Sequence, residues 1–282
     1  QHGMGLLKPK SIVLDTLLTL DHPGDKVYVD EEESIFITDL ENARVYKYLK
    51  LFEYDSVLYM GSGSGDEGLI EPHSISTPNR QSVYLFDIGK RIIHLLQPNL
   101  RIIRSWDFFD LEIVKQTGDP VEILPIAFDA SPTGELFVLD GNDYRIYKLD
   151  RFGNYRLDFG GNTYGEGSLR SPDGMQLSRE NVVFVTDSLS QTVTAFDIFG
   201  LFQRQYTAPE DFRWRQFAQL EQYLFYIRST QPQLLAERRS DGSQTRLTLP
   251  LTTEPFHCFA HTKALYFLQN GIVTRLNLDA IN

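Results

Sequence analysis

The chain has 282 residues and a formal net charge of -11, and 41% of its residues are hydrophobic. This acidity argues against binding to nucleic acid, which needs clustered lysine and arginine along the phosphate track. It also argues against docking on anionic lipid through a basic face. No apolar stretch approaches the length that spans a bilayer, so we expect no membrane insertion by this chain.

Four similar phrases follow one another along the chain. Each is a short apolar strand that ends in Asp, followed by a polar turn and a second strand; they read SIFITDLENARVYKY, SVYLFDIGKRIIHLL, ELFVLDGNDYRIYKLD and VVFVTDSLSQTVTAFD. The strand-end residues are Asp39, Asp87, Asp140 and Asp187, at intervals of 48, 53 and 47. A fixed period in this range predicts a propeller, a solenoid or another repeat array.

Each repeat contains four apolar runs of strand length, separated by polar turns, which is the layout of a propeller blade. Two weaker units continue the period, with Arg228 and Gln269 in place of the strand-end Asp. We therefore predict an all-β, six-bladed β-propeller with four-stranded antiparallel blades and no second domain. The predicted blades cover 22–60, 61–109, 119–160, 161–207, 211–249 and 250–282, the last one together with 11–20.

The sixth unit has only three strand-like runs. The segment SIVLDTLLTL at 11–20 is strongly strand-like and has no other partner. We expect it to supply the missing outermost strand and to close the ring, because closure removes exposed sheet edges.

Two stretches resemble the NHL repeat: GSGSGDEGLIEPHSIS before SVYLFDIGKRIIHL, and GGNTYGEGSLRSPDGMQLS before VVFVTDSLSQTVTAFDIFG. Both have a glycine-rich lead, a proline (Pro72, Pro172) and a strand that ends in Asp. Pro125 and Asp140 repeat the pattern in the third unit. The resemblance covers roughly 22–206 and implies a six-bladed propeller, an architecture that hosts binding modules, lyases and lactonases alike. We interpret the recurring Asp as a structural acceptor for backbone donors of the following turn.

Three histidines lie where the inner strands of predicted blades begin: His22, His73 and His257. Imidazoles that converge from different blades would make a zinc site. NHL-type amidating lyases hold zinc with histidines from several blades, but the three residues here stand in different registers relative to their prolines. A calcium set of converging Glu, Asn and Asp is not recognisable. We expect no cofactor, with zinc or calcium in the channel as the alternative.

Two segments have the character of a protein interface. The stretch 106–123 does not fit the blade pattern; it is an insertion or a short helix, or else a packed surface excursion. Its aromatics and a second cluster further on are the candidate contact residues: Trp106, Phe108, Phe109, Arg213, Trp214 and Arg215.

The favoured function is a non-enzymatic scaffold that binds a protein or peptide partner, because the repeats present no converging catalytic set. The first alternative is a metal-dependent lyase or hydrolase that uses His22, His73 and His257. The second is carbohydrate binding by aromatic residues of the channel.

The single cysteine, Cys258, lies in an apolar run and is expected to be a buried, inert thiol. The chain begins at Gln1 rather than Met, so either a leader was removed or the sequence was trimmed, and we favour removal of a leader. We therefore expect an exported protein, periplasmic or associated with the outer membrane, and an accessory subunit of an envelope or secretion complex. The oligomeric state stays open.

Overall fold

The computed structural model describes residues 10–63, 65, 68–228 and 231–280. The described chain is all β, apart from two 3₁₀ turns at Lys50–Phe52 and Leu278–Ala280. Among these residues no helix combines the length and the apolar character needed to cross a bilayer. In chain order the strands are β1 (Lys10–Ser11), β2 (Asp15–Thr19), β3 (Lys26–Val29), β4 (Ile35–Asp39), β5 (Arg44–Tyr48), β6 (Val57–Met60), β7 (Pro72–Asn79), β8 (Ser82–Asp87), β9 (Ile92–Leu96), β10 (Ile102–Asp107), β11 (Ile113–Val114), β12 (Pro120–Val121), β13 (Pro125–Ala130), β14 (Leu136–Asp140), β15 (Arg145–Leu149), β16 (Tyr155–Gly160), β17 (Gly174–Leu177), β18 (Val182–Asp187), β19 (Thr192–Asp197), β20 (Phe202–Thr207), β21 (Gln216–Leu220), β22 (Tyr223–Arg228), β23 (Gln233–Arg238), β24 (Gln244–Thr248), β25 (His257–His261), β26 (Ala264–Gln269) and β27 (Ile272–Asn277).

Six antiparallel sheets form the blades of the propeller. Blade 1 is β3–β6, blade 2 is β7–β10, blade 3 is β13–β16, blade 4 is β17–β20, and blade 5 is β21–β24. Blade 6 has the order β2-β27-β26-β25, so its outermost strand comes from the beginning of the chain. The predicted six-bladed fold is therefore confirmed, and so is its closure by the segment 11–20.

The closing segment contacts two blades rather than one. β2 pairs antiparallel with β27 in blade 6, and β1 pairs parallel with β24, where it adds a fifth strand to blade 5. Ile12, between these two strands, is buried in the cluster shared by blades 5 and 6. This segment therefore closes the ring within blade 6 and also joins blade 6 to blade 5.

The hydrophobic core is divided among the six junctions between neighbouring blades. Each junction holds one cluster of buried side chains contributed by both blades, such as Phe86 of blade 2 with Phe128 of blade 3. The second strand of each blade is almost wholly buried, because it packs against a neighbour on both faces. This explains why these strands read as continuous apolar runs in the sequence.

The strand-end aspartates have the structural role expected of them. Three of the four, Asp87, Asp140 and Asp187, also hold the loop that leads into their own blade, whereas Asp39 accepts hydrogen bonds from Asn42 of the following turn. The Asp87 carboxylate accepts backbone hydrogen bonds from Ile70 and Glu71 of that loop, at 2.8 and 2.9 Å, and from Lys90 of the turn, at 3.3 Å. Asp140 accepts from Leu124, and Asp187 from Ser171, in the same way.

Blades 5 and 6 lack this Asp, but the residue at the same position still binds the loop that leads into the blade. The Arg228 guanidinium donates to the backbone oxygens of Asp211 and Arg213. Gln269 accepts a hydrogen bond from the Thr252 backbone N–H at 3.0 Å and donates to the backbone oxygens of Thr252 and Glu254. The substitutions at this position thus preserve its function with different chemistry.

The segment 106–123 is not a helix. It leaves the end of β10 and folds into the small hairpin of β11 and β12, which packs against blade 3. The Lys115 ammonium of this hairpin lies 2.9 Å from the Asp158 carboxylate of β16. The segment is therefore a packed excursion between blades 2 and 3, which was one of the two alternatives left open by the sequence.

A belt of side-chain hydrogen bonds surrounds the axis and joins all six blades. Examples are the Thr77 hydroxyl, which donates to the Val29 oxygen, and the Gln176 amide, which bonds the Gln219 backbone at both N–H and oxygen. The other junctions are bridged by Ser76–Asp129, Asp129–Leu177, Gln216–Cys258 and His257–Val27. Because the exposed backbone edges of the inner strands are used in this way, the channel wall is fixed in position.

Candidate functional site

A cavity of about 670 Å³ lies on the propeller axis. Its wall consists of Tyr28, of the whole of β25 including His257, and of residues from the middle and end of β7, β13, β17 and β21, with the turns that follow these strands. The cavity thus extends to one face of the ring, which we call the turn face because it carries the turns between the first and second strands of the blades. A cavity of this volume accommodates a small ligand or part of a peptide.

Six structurally equivalent residues form one level of the cavity wall. Each of them lies on the first strand of its blade. Its partner on the second strand is an aromatic residue, three positions before the strand-end residue of that blade. We call this set the axial ring; in blade order it is Tyr28, Ser76, Asp129, Gln176, Ala218 and Phe259. The ring is aromatic in blades 1 and 6 and polar in blades 2, 3 and 4.

Asp129 is the acidic member of the axial ring. One carboxylate oxygen accepts hydrogen bonds from the Ser76 hydroxyl and the Ala130 backbone N–H, and the other accepts one from the Leu177 N–H at 2.8 Å. Burial raises the pKa of this carboxyl, and the three hydrogen bonds oppose that rise. In the described part of the chain, no lysine or arginine forms an ion pair with it.

The mouth of the cavity on the turn face carries charged side chains. The Glu31 carboxylate lies 3.4 Å from the Arg80 guanidinium and 3.7 Å from that of Arg179. Since Glu31 belongs to blade 1 and Arg179 to blade 4, this contact reaches across the axis. Glu180 and Glu221 also line the cavity here, and Glu180 pairs with Arg239 of blade 5.

Lys26, His73 and His257 lie together near the opposite end of the inner strands. The Lys26 ammonium donates to the His73 backbone oxygen at 2.9 Å and lies 3.2 Å from His73 Nε2. His257 Nδ1 accepts the Val27 backbone N–H at 3.1 Å, so its ring proton resides on Nε2. The three groups therefore form a polar cluster between blades 6, 1 and 2.

Burial controls the protonation of this cluster. Desolvation lowers the pKa of Lys26 to about 8, although Asp25 and Glu71 oppose the change. Desolvation, with the Lys26 charge as a second cause, lowers the pKa of His73 to about 4 and that of His257 to about 3. Both imidazoles are consequently neutral at physiological pH.

The structure does not assemble the three predicted histidines into a metal centre. His22 stacks on Tyr46 with ring centroids 4.3 Å apart, and its Nε2 lies 3.3 Å from the Tyr48 hydroxyl. His73 and His257 instead flank Lys26, whose positive charge opposes a metal ion. Across the described residues, no three His, Cys, Asp or Glu side chains are grouped as metal ligands would be.

The candidate contact residues divide into a buried and an exposed set. Trp106, Phe108 and Trp214 are at most 5% exposed and belong to the clusters between blades, so the interpretation of these three as surface contacts is corrected. Trp106 and Phe108 pack in the cluster between blades 2 and 3, and Trp214 packs in the cluster between blades 4 and 5. Phe109, Arg213 and Arg215 are exposed. The Arg91 guanidinium lies 4.3 Å above the Phe109 ring.

Cys258 is buried in β25, as expected, and burial raises the pKa of its thiol, which therefore stays protonated. The sequence reasoning overlooked both Asp129 and Lys26. The sequence did contain a signal for them. When the first strands of the six blades are aligned with one another, Asp129 and Lys26 occupy positions at which the other blades have uncharged residues.

The sequence matches no protein-family model and no curated protein sequence. Solved structures of similar fold include a virginiamycin B lyase from Staphylococcus aureus, with a TM-score of 0.61, 10% identity, and coverage of 92% of this chain and 82% of that chain. A streptogramin B lyase structure is similar at a TM-score of 0.60 and 10% identity, with 94% and 97% of the two chains covered.

An extracellular domain of a putative hybrid two-component system from B. thetaiotaomicron is also similar. Its TM-score is 0.56 at 10% identity, over 96% of this chain and 43% of that one. Identities this low demonstrate a shared β-propeller fold and nothing about activity.

Proposed function

We propose that this chain is a non-enzymatic β-propeller that binds a segment of a partner protein in its axial cavity, through the turn face. The observation that carries the proposal is the cavity itself, whose polar wall is fixed by hydrogen bonds between blades. A preformed concave site loses little conformational entropy when a ligand enters.

The chemistry of the cavity supports binding more than catalysis. The strand-end carboxylates are occupied by backbone donors, the Cys258 thiol is protonated, and His73 and His257 are neutral bases whose acceptor nitrogens already have partners. The exposed residues Phe109, Arg213 and Arg215 are proposed as a second contact region outside the cavity.

The experiment is capture of partners from an envelope fraction of the source organism, with the tagged chain as bait. Gln222 is exposed and lines the mouth of the cavity, so Gln222→Trp places a large ring there. Gln116→Trp is the matched control, because Gln116 is exposed in the hairpin outside the ring. We expect a stoichiometric partner with the parent chain and the control, and at least a tenfold loss with Gln222→Trp. Equal capture by all three chains, or no partner, would refute the proposal.

The alternative function is a metal-dependent lyase or hydrolase with zinc or calcium at the histidines. Two of the structural neighbours are described as lyases, which is the observation in its favour. Metal analysis of protein purified without chelator separates the alternatives. A stoichiometric metal that is lost on replacing His22, His73 and His257 would favour the lyase or hydrolase.

We also propose that the chain is a divergent NHL-type propeller and that it is exported. The first rests on the proline and Asp spacing of blades 2 to 4. Export to the periplasm or the outer membrane, as part of an envelope or secretion complex, is in keeping with a neighbour described as an extracellular domain. Cell fractionation with a tagged chain tests the location.

A further inference from the structure

We propose that the axial cavity binds an organic cation, such as the ammonium group of a lysine side chain, against the carboxylate of Asp129. The inference rests on the proposed function, since it names the chemical class of the ligand that enters the same cavity. Two independent features of the cavity support it: a carboxylate without a counter-ion, and aromatic side chains on the opposite side of the axial ring.

The first feature is the charge of Asp129. An ionised carboxylate offers about four lone-pair positions, and three are taken by Ser76, Ala130 and Leu177. These donors hold the carboxylate in place but are neutral, so the negative charge has no counter-ion among the described residues. Removing a charge from water without a partner is unfavourable, and a cationic ligand in the cavity would supply that partner.

The second feature is the aromatic side of the axial ring. In a ring of six blades, blade 3 faces blade 6, so Phe259 lies across the axis from Asp129. Tyr28 of blade 1 is its neighbour, with ring centroids 5.2 Å apart, and Phe217 also lines the cavity. Aromatic faces attract ammonium and guanidinium groups, most strongly where water is excluded.

The charge around the mouth does not oppose the entry of a cation. The charged residues that line the cavity are Asp129, Arg179, Glu180 and Glu221. Around the mouth, three glutamates are balanced by three arginines: Glu31, Glu180 and Glu221 against Arg80, Arg179 and Arg239. Asp129 is therefore the excess charge of the cavity, and a negative site of this kind favours a cation over an anion.

A divalent metal ion fits this site poorly. Calcium takes six to eight oxygen ligands, usually including several carboxylates. Asp129 is the only acidic member of the axial ring, and no metal-binding group of His, Cys, Asp or Glu occurs among the described residues. One carboxylate facing aromatic rings is instead the arrangement that recognises an ammonium group.

The test is calorimetric titration of the purified chain with a charged ligand and its uncharged isostere. Choline and 3,3-dimethylbutan-1-ol have the same shape and differ in charge. N-butylammonium and the peptide acetyl-Gly-Lys-Gly-amide compare a free amine with a lysine side chain. We expect choline to bind at least tenfold more tightly than its isostere, and the lysine peptide to bind at least as well as n-butylammonium.

Variants assign the binding to the residues named. Asp129→Asn keeps the shape and one acceptor oxygen but removes the charge, and should weaken cation binding at least tenfold. Glu122→Gln, at an exposed position between β12 and blade 3, removes one negative charge elsewhere and should leave binding unchanged. Phe259→Leu, which leaves the belt of hydrogen bonds intact, should weaken choline binding about fivefold. The Phe259→Leu variant therefore tests the inference even where the Asp129→Asn variant fails to fold.

Equal affinity for choline and its isostere, or full cation binding by Asp129→Asn, would overturn the inference, and so would the absence of cation binding by the parent chain. In each of these cases the partner capture that depends on Gln222 still reports separately on the proposed function. If free amines bind but the lysine peptide does not, the result would support the cation site and contradict a peptide as its occupant.

Discussion

Replacing Asp87 by alanine should strongly destabilise the propeller. Asp87 is fully buried, and its carboxylate satisfies the backbone N–H groups of Ile70 and Glu71 in the loop that leads into blade 2, and of Lys90 in the turn. A hydrogen bond to a charged group contributes about 1.5–3 kcal/mol, and a buried donor left without a partner is costly. With two short bonds and one long bond lost, we expect a decrease of about 4 kcal/mol in the free energy of unfolding.

Urea denaturation followed by tryptophan fluorescence measures this change, and the melting temperature should fall by roughly 10 °C. Asp87→Asn keeps one acceptor oxygen and should lose about half as much. Asp110→Ala is the control, because Asp110 is exposed next to the hairpin. If Asp87→Ala unfolds within about 0.5 kcal/mol of the control, the carboxylate does not hold the loop and the reasoning is refuted.

Three further predictions concern the ring and its histidines. Gln269→Leu leaves the Thr252 N–H without its partner and should cost about 1–3 kcal/mol by urea denaturation, whereas Gln97→Leu, in an exposed turn, should cost almost nothing. A chain lacking residues 1–20 loses β2 and exposes the edge of β27, so light scattering should detect association that a chain lacking only 1–9 does not show. The unfolding free energy should fall as the pH drops from about 6.5 to 4, because four histidines with lowered pKa values take up protons only when unfolded: His73, His94, His257 and His261.

Each of these predictions has a result that contradicts it. For Gln269→Leu it is a stability equal to that of Gln97→Leu. For the chain lacking residues 1–20, it is a molecular mass by light scattering that stays constant as the protein concentration rises, as in the chain lacking only 1–9. For the histidines, it is a free energy of unfolding that does not change between pH 6.5 and 4. Replacing one of them, as in His261→Phe, should reduce the slope of that free energy by about 1.4 kcal/mol per pH unit.

The fold could be predicted from the sequence because each sequence repeat corresponds to one blade. Strand-end residues recur at a nearly constant interval, and each blade must present apolar residues to both neighbours, which gives the short continuous runs that were recognised. Closure by 11–20 followed from counting strands, because an unpaired edge would remain in the last blade.

The site was harder to predict, since function in a propeller depends on which residues of different blades meet on the axis. Asp129 lies in a run, IAFDAS, that reads as an ordinary strand, and only the register against Phe137 places it on the level of Tyr28 and Phe259. Trp106 and Trp214 were misread for the opposite reason. Charged residues stand on both sides of Trp214 and directly after Trp106, but both tryptophan side chains are buried between blades.

The pairing of β2 with β27 bears on how the molecule reaches its native state. Asp15 and Arg275, which contact each other in the last blade, are 260 positions apart in the chain. During synthesis, β2 therefore has no partner strand in blade 6 until β27 has emerged from the ribosome. Contacts of such long range form slowly, so we expect the final step of folding to be the docking of this segment, and the nascent chain to need shielding from self-association until then.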